Sequence, residues 1–128
     1  MKLDRTLAKD IKREANGDGS REAKFAFMKR VEAANKALSS PEVADGGFDA
    51  AIKEHGRVPV TICVAATLYA RRERLDKWGL LWAMEVLGLW TNRTPSGIER
   101  ATIRDDMLHP TSICGYAGGF IRLTTEEE

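Results

Sequence analysis

Two apolar stretches constrain this chain more than anything else in it. Val58–Ala70 and Trp78–Trp90 are 13 residues each and are separated by Arg71 Arg72 Glu73 Arg74. A helix rises about 1.5 Å per residue, so either stretch would span about 20 Å against the roughly 30 Å of a bilayer's hydrocarbon. Neither is a membrane span, so both are available to a packed interior. With 128 residues the chain can enclose one such core, of radius of gyration about 14 Å, without a disulfide or a structural metal. Hydrophobic residues at 43% and charged residues at 30% agree with one ordinary globular domain.

The remaining segments read as helices around that pair. Leu3, Leu7 and Ile11 recur at steps of four, with Ala8 and Ala15 beside them, which predicts an amphipathic helix closed by Asn16 Gly17 Asp18 Gly19. Ser20 is the expected N-cap of a second helix to about Leu38, with Phe25, Met28, Val31 and Leu38 on its buried face and Phe27 aside. Ser40 and Pro41 open another turn, which Asp45 Gly46 Gly47 cuts short; Phe48–His55 is a brief helix stopped by Gly56. The β-branched run Val58–Val64 could be a strand, but no other stretch alternates for long enough to pair with it. It is therefore expected to open a long buried helix, with Pro59 in its first turn. A helix from Asp76 should end at Gly88, a capping box Ser96–Glu99 opens another through Met107, and a last helix spans Ile113–Ile121.

The net charge is +1, which excludes a strongly basic coat protein or a polybasic membrane binder, yet it is unevenly spread. Residues 1–56 sum to +1, residues 57–104 to +4 and residues 105–128 to −4. The charged start Met1 Lys2 Leu3 Asp4 Arg5 does not read as a signal peptide. Cys63 and Cys114 stand far apart, in no metal-binding pattern, so the expected location is cytoplasmic and reducing. Both cysteines are expected to be small core residues.

Arg71, Arg72, Arg74 and Lys77 form the densest basic run, with Trp78 and Trp82 just beyond it. That pattern suits phosphate contacts with stacking aromatics, and equally a helix end in solvent. On the tryptophan helix, Leu80, Ala83, Met84 and Leu87 share one face and Trp78, Leu81, Trp82 and Leu89 the other, with Glu85 among the tryptophans. Glu85 could be a pocket acid, a buried partner of an arginine, or part of an exposed tryptophan face made for binding. No second acid, base or nucleophile stands at a readable spacing to complete a catalytic pair. Asp105, Asp106 and His109 have a ligand-like spacing but too few ligands, so no metal is expected. Gly115 Tyr116 Ala117 Gly118 Gly119 lacks the spacing of a phosphate loop, and no cofactor motif is present.

Gly56 Arg57 Val58 with Val64 Ala65 Ala66 Thr67, Trp82 Ala83 a helix later, and His109 Pro110 with Gly119 Phe120 near the end together resemble an uncharacterised domain family. That family recurs in phages and conjugative elements of gut Firmicutes, often inside large polyvalent proteins, and the similarity covers roughly residues 56–121. Its members are more polar between the Ala-Thr and Trp-Ala motifs than this chain is. The resemblance implies a small helical accessory protein of a mobile element with no assigned catalysis, and reads His109 and Pro110 as a structural helix start.

The expected fold is mostly α, a compact single domain over residues 1–128 of about six helices around a central apolar helix pair. Residues 1–39 form an amphipathic helical pair, 56–121 the apolar helical core, and 124–128 a frayed acidic tail. The expected function is non-enzymatic: an accessory or inhibitor protein of a mobile element that binds another protein, of the host or of the element, as an anti-CRISPR inhibitor would. The alternative is a small helical nucleic-acid-binding regulator using Arg71, Arg72, Arg74 and Lys77. The interaction candidates are those four cations with Trp78, Trp82 and Glu85; no catalytic residue, metal, cofactor or membrane contact is expected.

Overall fold

A computed structural model describes residues 2–38, 49–70, 77–91 and 125–126. In chain order the elements are β1 (Lys2–Leu3), α1 (Arg5–Asn16), α2 (Arg21–Leu38), α3 (Asp49–His55), α4 (Arg57–Ala70), α5 (Lys77–Thr91) and β2 (Thr125–Glu126). The mostly helical, compactly packed character read from the sequence holds. Five helices lie among the described residues. The expected turn at Ser40 and Pro41 and the expected helices over 96–107 and 113–121 lie outside them.

Helix α4 is the centre. The β-branched run that could have been a strand is helical, and Pro59 sits at its third position, where no intrahelical donor is lost. Every residue from Val58 to Tyr69 is buried. A helix that is apolar on all sides can satisfy itself only by being surrounded, and α1, α2, α3 and α5 all pack against this one. Its two buried threonines are satisfied within the helix: Thr61 Oγ1 donates to the Arg57 carbonyl and Thr67 Oγ1 to the Cys63 carbonyl, both at 2.7 Å. Cys63 Sγ donates across to the Val31 carbonyl of α2 at 3.2 Å. The most extensive contact between helices is that of α4 with α5, as expected of the two apolar stretches.

The outer helices each contribute a stripe. On α1, Leu7, Ile11 and Ala15 are buried at steps of four. Leu3 is buried as well, but it belongs to β1 rather than to the helix, because Asp4 caps α1 by accepting from the Thr6 and Leu7 N–H groups at 2.8 and 3.4 Å. On α2 the buried stripe is Phe27, Val31, Ala34 and Leu38. This corrects the expected face: Phe27 is 2% exposed and Phe25 is 61% exposed. Phe27 is four residues, about 40° of rotation, from Val31, whereas Phe25 is six residues away and points off the stripe by about 120°. Lys29 Nζ lies 5.1 Å above the Phe25 ring, which gives that ring an amphipathic cover in place of the core.

Junctions are set by caps and glycines. Ser20 caps α2 as expected, with its Oγ accepting from the Ala23 N–H at 3.0 Å. Hydrogen bonds from Ser20, the side chain first and the backbone N–H second, hold the Asp18 carboxyl below its ordinary value. Gly17 has φ +53°, and a Cβ there would sit 2.8 Å from the Ala23 Cβ. Gly56 joins α3 to α4 with no loop: its N–H donates to the Ile52 carbonyl at 2.8 Å, and its own carbonyl accepts from Val60 at 3.4 Å. The φ of +96° is what allows one residue to end one helix and begin the next.

Two further expectations are corrected. Helix α5 does not stop at Gly88 but runs to Thr91, because Leu89 and Trp90 pack against the core and outweigh the roughly 1 kcal/mol that glycine costs in a helix. The tail expected to fray is held at Thr125 and Glu126, which pair antiparallel with β1 in the register Lys2↔Glu126 and Leu3↔Thr125. The sequence carries no signal for this two-residue bridge, because strands this short have no periodicity.

Truncating the hub should be costly. Ile62→Ala is expected to lower stability by about 2–5 kcal/mol, and Gly56→Ala by about 1–2 kcal/mol from its backbone conformation alone. Denaturant midpoints at unchanged slope measure both; an Ile62→Ala midpoint equal to the parent's would contradict the placement of α4.

Candidate interaction surface

Helix α5 carries more apolar side chains than its contacts with the core can cover. Gly79, Trp82, Ala83, Met84, Val86 and Leu87 are buried, and Leu80, Leu89 and Trp90 pack partly against the core. Lys77, Trp78, Leu81 and Glu85 are exposed. At about 100° per residue these four fall within one arc of about 100°. Lys77, Leu81 and Glu85 follow one another at steps of four, so the cation and the carboxylate stand about 12 Å apart along the axis, with Leu81 between them and Trp78 alongside. Trp78 is 55% exposed and Leu81 47% exposed.

The surface is narrower than the face drawn from the sequence. Trp82 is 4% exposed and is part of the core cluster. It lies only about 40° further round the helix than Trp78, on the flank nearest the core, and its large ring is buried with the neighbouring helix face. Leu89 likewise turns partly inward. Leu81, read on that face from the sequence, stays on it beside Trp78, three residues from Trp78 and four from Glu85. Among the three roles open to Glu85, burial as a pocket acid or as an arginine's buried partner is excluded by its exposure. No cation among the described residues is paired with it.

Arg71, Arg72 and Arg74 lie outside the described residues, as do Asp105, Asp106, His109 and Cys114. Of the basic run only Lys77 is placed, exposed at the start of α5. Among the described residues no group of three or more His, Cys, Asp or Glu side chains comes together to hold a metal. No helix among them is long and apolar enough to cross a membrane. His55 ends α3, with Nε2 3.8 Å from the Glu54 carboxylate. Cys63 is buried inside α4, and burial pushes its thiol up to about 12. A neutral thiol packed against a carbonyl is a core side chain, not a nucleophile.

The arrangement suits recognition. Tryptophan and leucine supply an apolar anchor already ordered on a rigid helix, and charges of opposite sign at the two ends can fix the direction of whatever lies on it.

No protein-family model matches the chain, and neither a curated protein nor a solved structure matches it. The resemblance to the phage and conjugative-element family thus rests on the quoted residues. Gly56–Val58, Val64–Thr67, Trp82 and Ala83 among them pack in the core region of α4 and α5 or at its junction with α3; the His109 and Phe120 motifs lie outside the described residues.

The two tryptophans should separate cleanly. Trp82→Ala is expected to cost about 3–5 kcal/mol in equilibrium unfolding and Trp78→Ala less than about 0.5 kcal/mol. For Cys63, peptide-mapped alkylation at mildly alkaline pH should proceed only as fast as the chain unfolds. Because the folded thiol titrates above its unfolded value of 9.0, its stabilising contribution is whole below pH 9 and is lost as pH rises beyond that.

Proposed function

We propose that this chain is a non-enzymatic accessory or inhibitor protein that acts by binding another protein through the outer face of α5. A protein carried by a mobile element that inhibits a host defence nuclease, as an anti-CRISPR protein does, is one concrete form of this. The observation that carries the reading is the exposed pair Trp78 and Leu81 on a helix whose other apolar side chains are wholly or partly in the core. Tryptophan is the residue type most enriched at the energetic centre of protein interfaces, and an anchor on a buried helix is preorganised, so little order remains to be imposed on binding.

The alternative, a nucleic-acid-binding regulator using Arg71, Arg72, Arg74 and Lys77, is supported by the exposure of Lys77 beside Trp78 at the end of that run. The two separate by salt dependence. Capture of a protein partner from the native cell at high salt, lost on Trp78→Ala or Leu81→Ala with unfolding midpoints unchanged, supports the protein-binding reading. Binding to nucleic acid that weakens steeply with salt and is lost on Arg71→Ala/Arg72→Ala/Arg74→Ala replaces it.

A further inference from the structure

The outer face of α5 carries a charge pattern that is its own complement. Lys77, Leu81 and Glu85 form one row of the helix at steps of four, and all three are exposed. Leu81 is the middle of that row, with the cation about 6 Å before it along the axis and the carboxylate about 6 Å after it. Reversing the direction of the row exchanges the two charges and leaves the leucine in place.

Neither charge meets an opposite one on its own helix. The neighbours of Lys77 one turn on are Leu80 and Leu81, and those of Glu85 are Leu81, Trp82, Gly88 and Leu89. Among the described residues no ion pair includes either group. The apolar part of the face is also uncovered. Of the large apolar side chains exposed among the described residues, Phe25 lies beneath the Lys29 ammonium, and the others are Trp78 and Leu81.

We propose that this face is occupied by a second copy of the same chain, in a two-fold symmetric, antiparallel pairing of α5 with α5. This rests on the reading of the face as a protein-binding surface, and it names the partner met first: a copy of itself, which any other protein must displace. Rows at steps of four pack against one another in the commonest class of helix pair, crossing at about 50°. With the two-fold axis at Leu81, each Lys77 lies by the partner's Glu85 and each Glu85 by the partner's Lys77. Leu81 meets the partner's Leu81 at the centre, with Trp78 of each chain beside it. A parallel pairing would set Lys77 against the partner's Lys77 and Glu85 against the partner's Glu85. The charges that support one orientation therefore oppose the other. Each chain engages only two large apolar side chains, so the dimer is weak and reversible, with a Kd of roughly 10–100 μM.

The test is sedimentation equilibrium of the whole chain over about 1–500 μM at about 50 mM salt, where charge pairs are little screened. The average mass should rise with concentration from 14.2 kDa toward twice that value. Trp78→Ala or Leu81→Ala should abolish the rise, while the unfolding midpoint at the lowest concentration, where the chain is monomeric, stays that of the parent. Lys77→Glu and Glu85→Lys should each weaken the dimer by roughly tenfold, because each replaces two attractions by two repulsions. The charges are complementary again when these two variants are mixed, and also in the double variant Lys77→Glu/Glu85→Lys; both should dimerise as the parent does. That restoration is specific to self-association, since a different protein would keep its own charges.

A monomer over the whole range, a dimer that persists in both Trp78→Ala and Leu81→Ala, or no restoration in either the mixture or the double variant would overturn the assignment. A monomer that still captures another protein through Trp78 removes the self-association and leaves the protein-binding reading. A dimer restored by the charge exchange, in a chain that captures no other protein, does the reverse.

Discussion

The fold depends on one constraint: α4 has no polar side to turn toward water. From Val58 to Tyr69 every residue is buried, so the chain must supply cover on all sides of one helix with the few elements a protein of this size possesses. Each of the other four described helices does this with one face. Buried polar atoms on the hub are tied off at once, Thr61 and Thr67 to carbonyls of their own helix and Cys63 to that of Val31, so α4 presents neighbours with little besides shape. Gly56 makes the construction compact by letting α3 turn directly into α4.

From this constraint comes the division of labour on α5. It packs against α4, its largest helix–helix contact, and also against α1 and β1, and the arc so covered holds Trp82, Ala83, Val86 and Leu87. The arc it leaves open contains Lys77, Trp78, Leu81 and Glu85. The two arcs differ in what a substitution there should disturb: the inner one supports the fold, and the outer one is surplus to it. On α1 the two acids are engaged, Asp10 with Arg13 of the same helix and Glu14 with Arg30 of α2, and the cap Asp4 faces Arg57 of α4.

Much of this was legible in the sequence, for reasons that can be named. Ser20 was readable as a cap because a hydroxyl directly before a helical run has one useful acceptor role, and Leu7 and Ile11 because steps of four admit one face. The helical reading of Val58–Val64 followed from the lack of any partner strand. Phe25 and Phe27 are hard to rank from the sequence because, two residues apart, they flank the same apolar stripe on opposite sides, and only the spacing of four to Val31 marks Phe27 as the inner one. Gly88 reads as a stop because its intrinsic cost is visible locally, whereas the packing of Leu89 and Trp90 that overrides it is not. On α5 nearly every position is apolar, so periodicity could not tell Trp78 from Trp82; only the placement of the neighbouring helices separates them.

The claim that everything else is arranged around α4 is tested most directly by native-state hydrogen exchange, read residue by residue. Amides of Ile62 to Tyr69 should exchange only through global unfolding, with a free energy equal to that from denaturant titration, while those of α1 and α3 exchange sooner through local opening. If the α4 amides exchange by local opening while α1 or α3 remains protected, the hub is not where the structure places it.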